Sequence, residues 1–216
     1  MQVKGLEMSS GDPRGSHLRA LSYAVASRGA DHLRSYSGID NLMPPEQAAL
    51  IAGDDRATDP ATLEGKGVLL AWTEYVNAIH NMLGTCQVIY GRSASWNGFV
   101  KRSLELEPAM LSAVWGRKIS SDELLQAGRR LITLDRAFNV REGIRRESDA
   151  LPHRFMDEPL PEGPAKDAVA VLGPLLDQYY RAYDWDVETG LPTYRSLRAF
   201  GLDDIAVGLG SRGLLK

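Results

Sequence analysis

The stretch that most constrains this chain runs from near Ala61 to Cys86 and closes on His80-Asn81-Met82-Leu83-Gly84-Thr85-Cys86. Leu63, Val68, Leu69, Trp72, Val76, Ile79 and Leu83 fall at the spacing of one buried helix face. Gly84 follows the last apolar position, where a left-handed residue satisfies the orphan carbonyls of a helix end without a Cβ clash. Cys86 therefore stands just past a helix C-terminus, inside a tight turn. A sulfur there can pack as a small hydrophobe, or it can ligate a metal or cluster as thiolate. It is the only cysteine in the chain, and no CxxC accompanies it. The chain's own thiols cannot complete an iron–sulfur or zinc site, so ligands would have to come from another segment.

A chain of 216 residues is long enough for one large or two small helical domains with a real core. Hydrophobic residues at 44% and charged ones at 25% indicate a folded chain rather than a disordered one. The formal charge of −3 arises from 25 basic and 28 acidic residues in mixed order, with no nucleic-acid footprint. The lone cysteine excludes an internal disulfide and fits a reducing, cytoplasmic setting. No apolar run approaches 18 residues and no signal-peptide core opens the chain, so nothing points to membrane or export. Nor is there a Ser/His/Asp ordering, an HExxH pair, a GxGxxG or a P-loop.

In order, Met1–Met8 reads as an extended piece running abruptly into a turn at Gly11–Gly15, as if the N-terminus were a cut through a larger architecture. Ser16 is placed to N-cap a helix stopping near Gly29. Gly29-Ala30-Asp31-His32 then offers an imidazole on a loop, either a surface or satisfied histidine or one aimed into a cavity. A short helix is expected over 46–52, followed by the long one ending at Cys86. Residues 91–96 read as loop, with short helices over 97–106 and 108–115, Pro108 suiting a helix start. Ser120 with Glu123 forms a capping-box pattern opening a helix that should run to about Arg141. Its last turns are rich in long polar side chains, read either as a solvated end or as a ligand contact. Prolines at 152, 159, 161 and 164 predict an extended strap without regular structure. A helix over 172–185 should turn Leu175, Leu176, Tyr179 and Tyr183 inward, and two short helices, 197–200 and 202–209, end the chain. With no strand-like alternation and no internal repeat, the expected fold is all-α, an irregular multi-helix bundle.

Several of these stretches together resemble the C-terminal region of the tungsten-containing aldehyde:ferredoxin oxidoreductase family. They are VKGLEM (3–8) with DPRG (12–15), YAVASRGADHLR (23–34), NMLGTC (81–86) and RAFNVREG (136–143). To these are added LPHRFMDEPLPEGPAK (151–166), LLDQYYRAYDWDVETGLPT (175–193) and LRAFGLDDIA (197–206), all in family order. The resemblance implies that residues 1–216 form the C-terminal helical region, with a sub-boundary near 116–120. It also implies a site between this region and an N-terminal domain, holding a tungsten bis-pterin of the molybdopterin type and a [4Fe-4S] cluster.

On this resemblance Cys86 is the fourth cluster ligand, the other three coming from the N-terminal domain. The family's D-x-x-G-x-C motif reads Asn81-Met82-Leu83-Gly84-Thr85-Cys86 here, so Asn81, Gly84 and Thr85 become cofactor-binding candidates. Asn81 departs from the pattern: an amide offers one acceptor oxygen plus donors, where a carboxylate accepts at both oxygens with full charge. His32 falls where the family places a proton-handling histidine near tungsten, and Asp31 beside it would favour the imidazolium if close enough.

Two functions stay open. In the first, the chain is part of an enzyme oxidising small aldehydes to carboxylic acids, passing electrons through the cluster to ferredoxin, and inactive without the N-terminal half. Related members reduce aromatic thioesters, so the substrate is not fixed. In the second, it is a non-catalytic helical remnant or interaction module that has lost the cofactor.

Overall fold

The computed structural model describes residues 1–35, 38–86 and 102–216, the side chains of Asn41, Arg102 and Ser103 apart. Its helices, in chain order, are α1 (His17–Val25), α2 (Pro45–Ala52), α3 (Lys66–Leu83), α4 (Glu107–Trp115) and α5 (Ser121–Arg141). They continue as α6 (His153–Asp157), α7 (Gly173–Tyr183), α8 (Tyr194–Arg198) and α9 (Asp203–Gly210). The only sheet among the described residues is a hairpin of β1 (Gln2–Val3) and β2 (Leu6–Glu7), so the all-α expectation holds. Lys4 and Gly5, both at positive φ, make the hairpin turn. Strands of two residues are too short to leave an alternating signature, and none was expected from the sequence.

Helix α3 lies at the centre, packed against α5 and α7 and, less extensively, α1 and α2. Two glycines set how closely those helices approach. A Cβ on Gly67 of α3 would stand 2.4 Å from Gln178 Cβ and Tyr179 N of α7. One on Gly128 of α5 would stand 2.4 Å from Tyr75 O of α3. Because α3 is enclosed on several sides, Leu69, Leu70, Val76 and Ile79 are buried, but so are Thr73, Glu74, Asn77 and His80. Val68, expected on the inward face, is instead exposed. The helix also begins five residues later than its apolar pattern suggests, because Gly65 is left-handed (φ 70°) and ends a turn there.

Local signals explain most of the other boundaries. Ser16 caps α1 by accepting from Arg19 N–H (3.2 Å), and Ser120 caps α5 by accepting from Glu123 N–H (3.1 Å). The capping box at α5 is only half made, since the Glu123 carboxylate accepts from Arg117 rather than from the cap residue. Thr193 and Ser196 close a full box at α8. The strap of 151–164 is not wholly irregular: between Pro152 and Pro159 the chain has room for α6, which buries Phe155. The expected helix over 97–106 lies outside the described residues up to 101, and Arg102–Leu106 forms a π-helical turn running into α4.

The core gathers α1, α3 and α7 with the hairpin residue Val3, while Ala137, Leu197, Leu202, Ala206 and Leu209 form a smaller cluster where α8 and α9 meet α5. Ionisable side chains are built into it as well. Asp149 accepts from Arg136 Nη1 (2.7 Å) and Tyr180 (2.5 Å) and pairs with Lys4 Nζ (2.6 Å), tying the hairpin to α5 and α7. Arg136, read from sequence as part of a solvated or ligand-contacting helix end, is thus a buried structural cation. Glu74 Oε2 accepts from Tyr179 (2.8 Å) and Tyr183 (2.6 Å), and burial pushes its carboxyl up to about 7 despite those two donors.

Candidate functional site

Helix α3 ends on Gly84, left-handed at φ 68°, whose N–H reaches Asn81 O (3.4 Å) while Thr85 N–H donates to His80 O (3.0 Å). This closes the last carbonyls of the helix as Gly84 was expected to. The Cys86 thiol beyond it is exposed rather than packed as a small hydrophobe. Asn81 and Met82 are exposed as well, and a Cβ on Gly84 would meet nothing within 4 Å. Asn81, Gly84, Thr85 and Cys86 therefore share one turn, with Asn81, Gly84 and Cys86 exposed and Thr85 half-buried among the described residues.

The inner side of that turn is closed. Ile79, Ile119 and Leu124 form a small apolar cluster beneath it, joined by Leu83 and Leu111. Above that cluster lie two residues that the apolar spacing does not single out. His80 is fully buried, and its Nδ1 lies 2.9 Å from Oε1 of Glu107, itself buried at the start of α4. Thr85 Oγ1 joins the pair, 3.3 Å from Glu107 Oε1 and 3.2 Å from His80 Nδ1.

His32 lies elsewhere, on a 3₁₀ turn (His32–Arg34) that rests on α1 and α3. It is half-buried, and its ring stands edge-on to Tyr23 with centroids 6.3 Å apart. The adjacent Asp31 does not face it. That carboxylate accepts from Leu33 N–H (2.9 Å) and Arg28 Nε (2.5 Å), with Arg34 Nε at 4.0 Å. Asp31 is thus the cap of the turn that carries His32. Among the described residues no hydrogen bond or ring contact joins His32 to the cysteine turn.

An apolar pocket of about 190 Å³ opens between α5 and α9, lined by Leu134, Ala137, Phe138, Ile205 and Leu209. None of its residues belongs to the cysteine turn or to the His32 turn. Arg141, Asp204, Gly208 and Arg212 complete its lining. No helix among the described residues is long and apolar enough to cross a membrane.

Comparison with known proteins gives these features a context. The family model described as aldehyde ferredoxin oxidoreductase, domains 2 and 3, matches residues 1–202. The tungsten-containing aldehyde ferredoxin oxidoreductase of Thermococcus kodakarensis is 31% identical over 195 residues, which are 89% of this chain and 29% of that protein. Its counterpart in Pyrococcus horikoshii is 30% identical over 207 residues, 94% of this chain and 31% of that one. The chain thus spans about 30% of the length of the relatives it matches. Among solved structures, the active site complex BamBC of benzoyl coenzyme A reductase, bound to 1,5-dienoyl-CoA, shares the fold. Its TM-score is 0.66 at 21% identity, covering 98% of this chain and 33% of that one. With a match running over nearly its whole length, the chain belongs to the aldehyde ferredoxin oxidoreductase family, in the part that comprises domains 2 and 3.

Proposed function

We infer that residues 1–216 are the C-terminal helical region of a tungstopterin oxidoreductase that converts aldehydes to carboxylic acids. The observation that carries this reading is the exposed thiol of Cys86 on a turn that, among the described residues, is closed from behind and open in front. One thiolate is one of the four ligands a [4Fe-4S] cluster takes. Among the described residues no three His, Cys, Asp or Glu side chains gather in a position to hold a metal ion. The donor set fits one corner of a shared centre whose other ligands come from an N-terminal domain or subunit.

When bound, the tungsten pterin supplies the two-electron oxidation RCHO + H₂O → RCOO⁻ + 3H⁺ + 2e⁻. The two electrons are taken up singly by ferredoxin. Cys86 Sγ is the ligand this chain contributes. The Asn81 amide and the bare outer side of Gly84 and Thr85 form a wall against which a flat heterocycle can lie, Asn81 offering one acceptor and two donors. His32, half-buried on a turn held by Asp31, takes up a proton released at the site.

Co-expression with the N-terminal portion of a family relative tests the reading through tungsten content and aldehyde-dependent reduction of a viologen dye. Tungsten co-purifying with the pair, and a His32→Ala variant that keeps its tungsten while losing roughly tenfold or more in rate, are the expected results. A stable complex without tungsten and without dye reduction would instead favour a non-catalytic helical module.

A further inference from the structure

Two ionisable side chains buried behind the cysteine turn have no part in the reading so far. Glu107 is the first residue of α4, where the π-helical turn Arg102–Leu106 runs into it. Here its side chain is turned inward and 2% exposed, against a histidine that is itself at 0%. An apolar pair of similar volume would hold α4 against α3 at no desolvation cost. What the polar pair adds is direction. Glu107 Oε1 is shared by His80 Nδ1 (2.9 Å) and Thr85 Oγ1 (3.3 Å). The Thr85 hydroxyl also lies within reach of His80 O (3.4 Å), the carbonyl to which Thr85 N–H donates. Thr85 is therefore held by its backbone and its side chain at once, and both attachments lead back to His80.

The residue after Thr85 is Cys86, whose Cα lies one peptide, about 3.8 Å, beyond. With Thr85 fixed at two points, the thiol has only the dihedrals of a single residue left to search. The second oxygen of Glu107, Oε2, is buried and without a hydrogen-bond partner. A half-satisfied buried carboxylate is costly wherever it is kept, and it marks this pair as something other than ordinary packing.

We propose that Glu107, acting through Thr85 and His80, is a positioning residue that presents the Cys86 thiol outward at one fixed place. The segment starting at Arg102 then belongs to the cysteine site even though it supplies no ligand. This rests on the reading of Cys86 as a ligand for its purpose, but the geometry is testable in the chain alone.

The purified chain is compared with its Glu107→Ala, Glu107→Gln and Thr85→Val variants by amide hydrogen exchange at Thr85 and by the rate of Cys86 alkylation with iodoacetamide. Glu107→Ala and Thr85→Val are expected to speed Thr85 exchange roughly tenfold or more and to shift the alkylation rate severalfold, as local opening becomes easier. Glu107→Gln keeps an acceptor oxygen in place and should leave both values near wild type, whereas Thr85→Val, which fills the same space without a hydroxyl, should not, a contrast that mere filling of space does not predict. Wild-type exchange and alkylation in Thr85→Val would overturn the proposal, and this half-buried substitution decides the matter should Glu107→Ala fail to fold. An unchanged iron content of a reconstituted complex on Cys86→Ser would sink the ligand reading while leaving these results standing.

Discussion

At the scale of single residues, the strongest lever in the core is Glu74. Its carboxyl is fully buried under two tyrosine hydroxyls and titrates near 7 rather than at 4.5. The folded state thus binds a proton that the unfolded state has already released, and stability falls as pH rises between those two values. The full effect amounts to about 3 kcal/mol, present at low pH and gone above pH 7. Glu74→Gln keeps an acceptor for the tyrosines and carries no charge to bury. Its melting temperature should rise relative to wild type as pH is raised from about 5 to about 8, whereas an offset constant with pH would contradict the assignment. Asn81 offers a second test. Restoring the carboxylate with Asn81→Asp should tighten retention of pterin in a reconstituted complex, read by fluorescence of the released, oxidised pterin. Equal retention would remove Asn81 from the pterin wall.

These residues also mark where sequence reading stops. Gly84, Cys86 and Ser120 announce themselves, because a left-handed cap, a lone thiol and an N-cap each depend on the residue and its immediate neighbours. Glu74, Asn77 and His80 do not, because the apolar spacing of α3 suggests one inward face. A helix enclosed by neighbours on several sides buries its polar residues as well. Glu107 was equally hidden, since nothing local distinguishes a helix-opening acid that faces solvent from one that turns inward toward a histidine far away in sequence.

Among the elements, the two close crossings of α3 govern packing. Alanine in place of Gly128 would gain up to about 1 kcal/mol in helix propensity, yet its Cβ would stand 2.4 Å from Tyr75 O, a backbone atom that cannot step aside alone. Separation of α3 from α5 should cost more than the propensity returns, with a net loss of about 1–3 kcal/mol in urea denaturation. A stabilised Gly128→Ala protein would show that the crossing is looser than its geometry. Ser120→Ala should cost about 1 kcal/mol through loss of the α5 cap. The same elements show why boundaries were less legible than existence. The apolar pattern carries on upstream of Gly65, but the backbone there is already turning. The prolines around α6 argue against a helix in general without forbidding one short turn between them.

Across the whole molecule, the family's segments are joined by long-range ties rather than by sequence neighbours. Lys4 reaches Asp149 at 2.6 Å and the carbonyl of Ala24 at 2.7 Å, so the first hairpin is anchored against α1 and α5. Burial lowers the Lys4 ammonium from its ordinary range while Asp149 opposes that shift. Lys4→Met takes one buried partner from Asp149 while Arg136 and Tyr180 remain, and should destabilise the chain by about 1–3 kcal/mol in chemical denaturation. The matched relatives are some three times as long as this chain, and the open side of the cysteine turn is where the account places their remaining part.

The most direct test of that claim is the iron content of the chain co-purified with the N-terminal portion of a family relative, compared between wild type and Cys86→Ser. The account predicts about four iron atoms per wild-type complex and a marked loss in the serine variant. Equal iron in the two complexes would contradict it.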